Sequence, residues 1–221
     1  MIIIRWLSGC LIVFAVSCEN TSSYNSYIPT KEDSVKRIAV IKKAYIQIAG
    51  IKSSVKNGDL ITRTGNDFTS ESLRSLNQRD KSYSHCGIAS IEHDSVFVYH
   101  ALGGDFNPDQ KIRRDPLELF AEPYSNKGIG IFRFMVADSI KNNFVSVAKE
   151  LFKKGVMFDM DFDLKTDDRM YCAEFVYKTF VKASYEKLQF NHSHINSFEF
   201  IGVDDIFLNP LCSLQSKLVY K

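Results

Sequence analysis

The stretch HCGIASIEHDSVFVYHA, residues 85 to 101, constrains the fold more than any other part of the chain. Two runs rich in β-branched and aromatic residues, HCGIASI and SVFVYHA, flank the short polar segment EHD, which reads as a β-hairpin. The chain therefore contains antiparallel sheet. Side chains alternate along a strand, so His85, Gly87, Ala89 and Ile91 share a face. With the turn centred near residue 93 or 94, His100 pairs close to Gly87, and Val98 and His100 share one face of the partner strand. The two imidazoles are then diagonal neighbours within reach of each other. Gly87 leaves room beside them.

The rest of the chain supplies helices to cover such a sheet. KEDSVKRIAVIKKAYIQIAG has apolar residues at 35, 38, 41, 45 and 48, one helical face ending near Gly50. GDLITR reads as a short strand, and the polar stretch from Thr64 to Ser82 as a loop with one helical turn. DPLELFAE is a short helix with Pro116 at its start. GIGIFRFMV is a strand. DSIKNNFVSVAKELFKKG is a helix with Asp138 as N-cap and Gly155 as its stop. A further helix follows, capped by Asp168, and strand-like FEFIGV and SKLVYK close the chain. The fold class expected is α+β, with helices packed on a mostly antiparallel sheet.

The N-terminus differs in kind. MIIIRWLSGCLIVFAVSC carries one charge, Arg5, and an apolar run too short to span a bilayer, which takes ~20 residues. Residues 1–17 fit a signal peptide, with the small residues of AVSC placed before Cys18 as in a bacterial lipobox. Cys10, after LSG, is the alternative, and plain signal cleavage another. Residues 18–30 read as a flexible tether, and residues 31–221 as one domain. The expected localisation is the bacterial cell envelope, exported and membrane-anchored through lipid on Cys18. The 221 residues carry a net charge of only +2, and no basic run interleaves with aromatics, so no nucleic-acid partner is expected. Beyond Cys18 three cysteines remain, Cys86, Cys172 and Cys212, an odd set with no CxxC pair. At least one thiol is free, and no disulfide framework is expected. Oligomeric state is not legible.

Cys172 stands out among the three. In DDRMYCAEFVYKTF, positions 172, 175, 176, 179 and 180 form the buried stripe of a helix, and cysteine is a common core residue there. Yet Cys172 is also in the first helical turn, where unpaired N–H groups and the helix dipole favour a thiolate. A cysteine nucleophile needs a base, usually histidine, and a third group to hold that base. His85 and His100 on the hairpin are the pair available, one as base and one fixing its tautomer.

Other motifs carry less. His192 and His194 form an HxH pair with no third ligand placed by spacing. Asp159, Asp161 and Asp163 copy the start of an EF-hand loop, but Leu164 replaces its glycine and Met170 its last glutamate. These acids read as loop and cap residues, with Phe158 and Phe162 packing inward. No metal and no cofactor is expected.

NGDLITR, YSHCGIASI, VYHALGG, RRDPLELF, GVMFDMDF, MYCAEFVYKTF and VDDIF occur in this order. Together they resemble the YiiX/YebB-like branch of the NlpC-type papain-fold enzymes. The resemblance runs from about Asn57 to the C-terminus. It implies a circularly permuted papain-like fold, with the histidine strand before the cysteine helix. Cys172 matches the family's nucleophile, His85 its general base and His100 its orienting position. Histidine at 100 departs from the glutamate of many bacterial members and resembles the lecithin–retinol acyltransferase branch. Alanine follows Cys172 where serine is common, and Phe158 stands where tyrosine is common. The resemblance implies a cysteine hydrolase working on an amide bond through an acyl-enzyme, with a cell-wall peptide as the leading substrate. A lipid acyl hydrolase or acyltransferase is the runner-up. A non-catalytic binding module on the same fold is the remaining alternative. An apolar pocket would favour lipid, a polar groove peptide.

Overall fold

The computed structural model describes residues 30–104 and 106–221, so the expected signal peptide, Cys10 and Cys18 lie outside the described residues. Its strands are β1 (Leu60–Gly65), β2 (His85–Glu92), β3 (Ser95–His100), β4 (Arg113–Pro116), β5 (Asn126–Phe134), β6 (Ser193–Ile195), β7 (Phe198–Phe200) and β8 (Cys212–Val219). Six of them form one sheet in the order β4-β3-β2-β1-β5-β8, with every neighbouring pair antiparallel, while β6 and β7 pair by themselves. The hairpin turns through His93 and Asp94, both in the left-handed region at φ 46° and 62°. That matches the twist of the two strands it joins. Ile88 pairs with Tyr99 and Ala89 with Val98, the register that puts Gly87 opposite His100.

Helices cover both sheet faces. On one side α1 (Lys31–Lys52) and α3 (Leu117–Phe120) close over Ile61, Ala89, Val98 and Ile131. On the other, α4 (Asp138–Lys154) and α5 (Cys172–Ala183) bury Phe144, Phe175, Val176 and Phe180 against Leu60, Cys86, Ile88 and Tyr99. Each such side chain contributes about 1.5–3 kcal/mol on burial. The apolar face of α5 therefore fixes that helix on the sheet with far more energy than any contact of its first residue. Gly155 ends α4 in the left-handed region at φ 71°, as expected of a C-terminal glycine. No helix among the described residues is long and apolar enough to cross a membrane.

Five local expectations need correcting. The stretch after Thr64 holds a nine-residue helix, α2 (Phe68–Leu76), because the Asp67 carboxylate accepts the Ser70 N–H at 2.9 Å and starts it. The N-cap of α4 is Ala137, which makes Asp138 the first helical residue. The N-cap of α5 is Tyr171 in place of Asp168. FEFIGV gives only the three residues of β7 as strand, and its valine opens α6 (Val203–Phe207). The face expected of α1 is buried only at Ile41 and Ile48, with Ala44 beside them, while Val35, Ile38 and Tyr45 are exposed.

Candidate active site

The register of three strand pairs lines up a polar row on the α1/α3 face of the sheet. Arg63 of β1 pairs with His85 of β2, and His100 of β3 pairs with Arg113 of β4. Asp115 lies two residues along β4 from Arg113, opposite Val98. Phe120 of α3 lies beside this row, its ring centre 5.6 Å from that of His85, 5.0 Å from that of His100 and 4.8 Å from the Arg63 guanidinium. Arg63 also donates to the Phe120 carbonyl at 2.8 Å.

The two histidines meet as the hairpin register requires. His85 Nε2 is 2.8 Å from His100 Nδ1, and His100 Nε2 is 3.0 Å from Asp115 Oδ2, which Arg113 also holds at 2.8 Å. A Cβ on Gly87 would stand 2.9 Å from the His100 Cβ and 2.7 Å from the Tyr99 carbonyl, so the pair depends on the missing side chain. His85 and His100 are both held neutral near pH 7, chiefly by burial. Arg63 and Arg113 add to this for both rings, which puts His85 well below the usual imidazole range and His100 at about 4. Asp115 is held below the usual carboxylate range, because hydrogen bonds from His100 and Arg113 outweigh its burial.

Cys172 comes from the opposite layer. It is the first residue of α5 and 8% exposed, at the edge of the stripe that its helix buries. The residue belongs to the core, as its helical stripe predicts, and is the most exposed of that cluster's buried members. Its thiol is pulled below the ordinary range, first by a hydrogen bond with the Cys86 thiol. The N–H groups of Cys86 and Ala173 and the charge of Arg63 act in the same direction, against burial. The Cys86 thiol is raised, first by burial and then by its bond to Cys172, so Cys86 stays the donor. Cys86, Cys172 and Cys212 are all free thiols.

Because Cys86 and His85 point to opposite faces of β2, nucleophile and base can meet only around the strand's first residue. No hydrogen bond joins Cys172 to His85 among the described residues, and His85 Nδ1 is the ring nitrogen left open. Catalytic hydrogen bonds are commonly loose without substrate and tighten when it binds. Two adjoining cavities hold the groups. One, about 450 Å³, is lined by His85 and Arg63; the other, about 30 Å³, by Cys172. Leu73 of α2, Ser84 and Phe162 line both. Around Cys172 the walls are Leu76, Tyr171, Phe200, Ile201 and Val203; around His85 they include Leu102, Phe106, Phe158 and Met160. Phe162 sits at φ 56°, a left-handed conformation uncommon for an aromatic residue, and packs 4.7 Å from the Tyr171 ring.

The loop after α2 is tied down beside the site. Asp204 Oδ2 accepts the N–H groups of Gln78 and Arg79 at 3.1 and 2.7 Å, and Asn77 accepts that of Val203 at 3.0 Å. A larger groove, about 760 Å³, runs along the outer side of α5 and contains none of the three candidate residues. His192 and His194 are remote from the row. His192 Nδ1 contacts Glu199 at 2.6 Å. Asp159 accepts the N–H groups of Asp161 and Asp163, so these acids shape a loop as expected.

Three residues of the site escape sequence reading. Asp115 and Arg113 lie in the quoted RRDP, and Arg63 closes NGDLITR, but only strand pairing shows what they face.

In chain order the histidine strands precede the cysteine helix, the order of a circularly permuted papain-like fold. The sequence profile of the permuted papain-like amidase family, YaeF/YiiX (C92), matches residues 54–198, and the chain belongs to that family. It is accordingly a cysteine hydrolase of the amidase kind, with a circularly permuted papain-like α+β fold. Among solved structures it is similar to one described as the metalloprotein yiiX from Escherichia coli O157:H7. The TM-score is 0.61 over 74% of this chain and 98% of that one, at 17% identity. Among the described residues of this chain, no three His, Cys, Asp or Glu side chains are grouped to hold a metal. No curated protein matches the chain.

Proposed function

We propose that the protein is an exported cysteine amidase that works through an acyl-enzyme on Cys172, with His85 as base and His100 holding it. The observation that carries this reading is the 2.8 Å contact between His85 Nε2 and His100 Nδ1, which engages one ring nitrogen of His85 and leaves Nδ1 to face the thiol. In the proposed reaction the Cys172 sulfur attacks the carbonyl carbon and its proton passes to His85 Nδ1. The developing oxyanion takes the N–H of Cys172 at the helix start. The C–N bond breaks as His85 protonates the leaving nitrogen. Water, deprotonated by His85, then cleaves the thioester and restores the thiol.

Of the two substrate classes expected from the sequence, a cell-wall peptide suits the amidase chemistry and an envelope location. The lining supports the other: Leu73 and Phe162, which border both cavities, with Leu102, Phe158 and Met160 of the 450 Å³ one, suit an apolar acyl chain more than a peptide backbone. We therefore place an acyl group with an apolar chain first. Acylation of Cys172 by p-nitrophenyl acetate and p-nitrophenyl decanoate, followed by intact mass, tests this. Decanoate is expected to acylate at least about tenfold faster, the worth of a few buried methylenes. Equal rates, or faster acetate, return the reading to peptide, and no acylation by either leaves a binding module.

Anchoring through Cys18 is part of the same proposal. In a bacterial host, Cys18→Ser is expected to move the protein from the membrane fraction to the soluble one. If Cys10→Ser does so instead, the anchor is at Cys10; if neither does, the anchor is lost from the account.

A further inference from the structure

A histidine makes an ambiguous third member of such a site. A neutral imidazole has one N–H and one lone pair, and it can present either to its neighbour. If His100 carried its proton on Nδ1, it would donate to His85 Nε2. His85 would then carry its own proton on Nδ1, the nitrogen that must be bare to accept one from Cys172. If His100 carries its proton on Nε2, every direction reverses. His85 Nε2–H donates to His100 Nδ1, and His85 Nδ1 is a lone pair. A glutamate at position 100 would settle this by itself, because a carboxylate only accepts. Histidine needs something behind it.

Asp115 Oδ2 lies behind it, 3.0 Å from His100 Nε2. Asp115 is an acceptor whose other partner is the Arg113 guanidinium at 2.8 Å, so the carboxylate is anchored as well as charged. We propose that Asp115 is a positioning residue for the reaction: acting through His100, it fixes both imidazoles as Nε2–H tautomers and so keeps the lone pair of His85 aimed at the thiol. The inference rests on the amidase reading for its catalytic meaning but not for its geometry.

The charged groups that face the pair are Arg63 of β1 and Arg113 and Asp115 of β4, while the Cys86 and Cys172 thiols lie on the opposite face of the sheet. Of these, Asp115 is the one acceptor within hydrogen-bond distance of His100 Nε2 among the described residues. Burial, and then the two arginines, oppose a second proton on either ring of the pair, so each of the two carries one N–H near neutral pH.

The test is long-range proton–nitrogen NMR of the protein with 15N-labelled histidine at pH 7. His85 and His100 are expected as Nε2–H tautomers in the wild type. In Asp115→Asn, whose amide can donate as well as accept, both rings are expected to become mixed or Nδ1–H. Acylation of Cys172 by p-nitrophenyl acetate should then slow by about 10²-fold, the low end for losing a correctly protonated base. The double variant His100→Glu/Asp115→Asn keeps one carboxylate and moves it one step nearer, and it is expected to restore the Nε2–H form of His85. A merely structural role for Asp115 would give no such rescue. The proposal is overturned if wild-type His100 carries its proton on Nδ1, if Asp115→Asn leaves both tautomers unchanged, or if the double variant leaves His85 mixed. The wild-type spectrum decides even if Asp115→Asn does not fold. Because no substrate is needed, a protein with the expected tautomers but no acylation would keep the relay and lose the amidase.

Discussion

Cys172→Ala is expected to abolish acyl transfer, by about 10⁴-fold or more, while the protein stays folded. The two halves of this expectation come from different parts of the molecule. Helix α5 is located by Phe175, Val176 and Phe180, all fully buried, each contributing about 1.5–3 kcal/mol. Losing one sulfur at the edge of that face costs about 1 kcal/mol, well short of what unfolds a domain of this size. Chemistry has no such reserve. The sulfur is the atom toward which the Cys86 thiol, two backbone N–H groups and the Arg63 charge converge, and Cys86, its thiol raised by burial, is no substitute. Acylation monitored by intact mass, beside thermal unfolding of the same sample, checks both. Residual acylation on Cys86 would sink the assignment of the nucleophile. A collapse of the melting transition would mean that the bland role of Cys172, as core, is the dominant one.

What could be read from the chain and what could not divides along physical lines. The hairpin was legible because period-two alternation and a short polar turn fix register, and register alone put His100 beside His85. Cys172 at the start of α5 was legible because the helix announces itself by its buried stripe. Asp115 was not. It reaches His100 through the β3–β4 pairing, whose strands are joined by residues 101–112, a loop too long for its turn residues to set their register. Arg63 depends in the same way on β1 pairing with β2. The start of α5 was misplaced by three residues because Asp168 is a good capping residue and Tyr171 is not. The carboxylate that serves the helix start comes from inside the helix instead: Glu174 accepts the Tyr171 N–H at 3.2 Å. Helix α2 is legible as no more than one turn because it buries no residue of its own, and its apolar Leu73 and Leu76 face the cleft. An element built to line a site lacks the buried stripe by which helices are recognised.

Glu174 carries the second large effect. Its carboxyl is fully buried two residues from the nucleophile and is pushed up to about 7, first by desolvation, with Lys178, 3.0 Å away, acting in the opposite direction. Lys178 directs its N–H groups to Asp167 at 2.8 Å and to the Thr166 carbonyl, so Glu174 Oε1 has an ion-pair neighbour but no hydrogen bond. An acid whose folded pKa lies above its unfolded value of about 4.3 binds more protons folded than unfolded between those two points. Stability from this group is therefore full below about pH 4.3, falls as pH rises to about 7 and is level above it, with a total on the order of 3 kcal/mol as an upper bound. The neutral histidines act oppositely in part of that window: His85 and His100, lowered by burial, make stability rise with pH toward about 6.5. The wild-type profile alone thus mixes two signs. The difference between Glu174→Gln and wild type in urea unfolding isolates one. Glutamine keeps an acceptor for the Tyr171 N–H and removes the titration. The variant is expected to be no more stable at pH 4 but more stable by about 1–3 kcal/mol at pH 8, with the gain opening between pH 5 and 7. A difference that does not change with pH would mean that Glu174 stays ionised throughout, with Lys178 as a full partner. The first turn of α5 would then be held by an ion pair, and the buried acid would have no part in tuning the environment of the thiol.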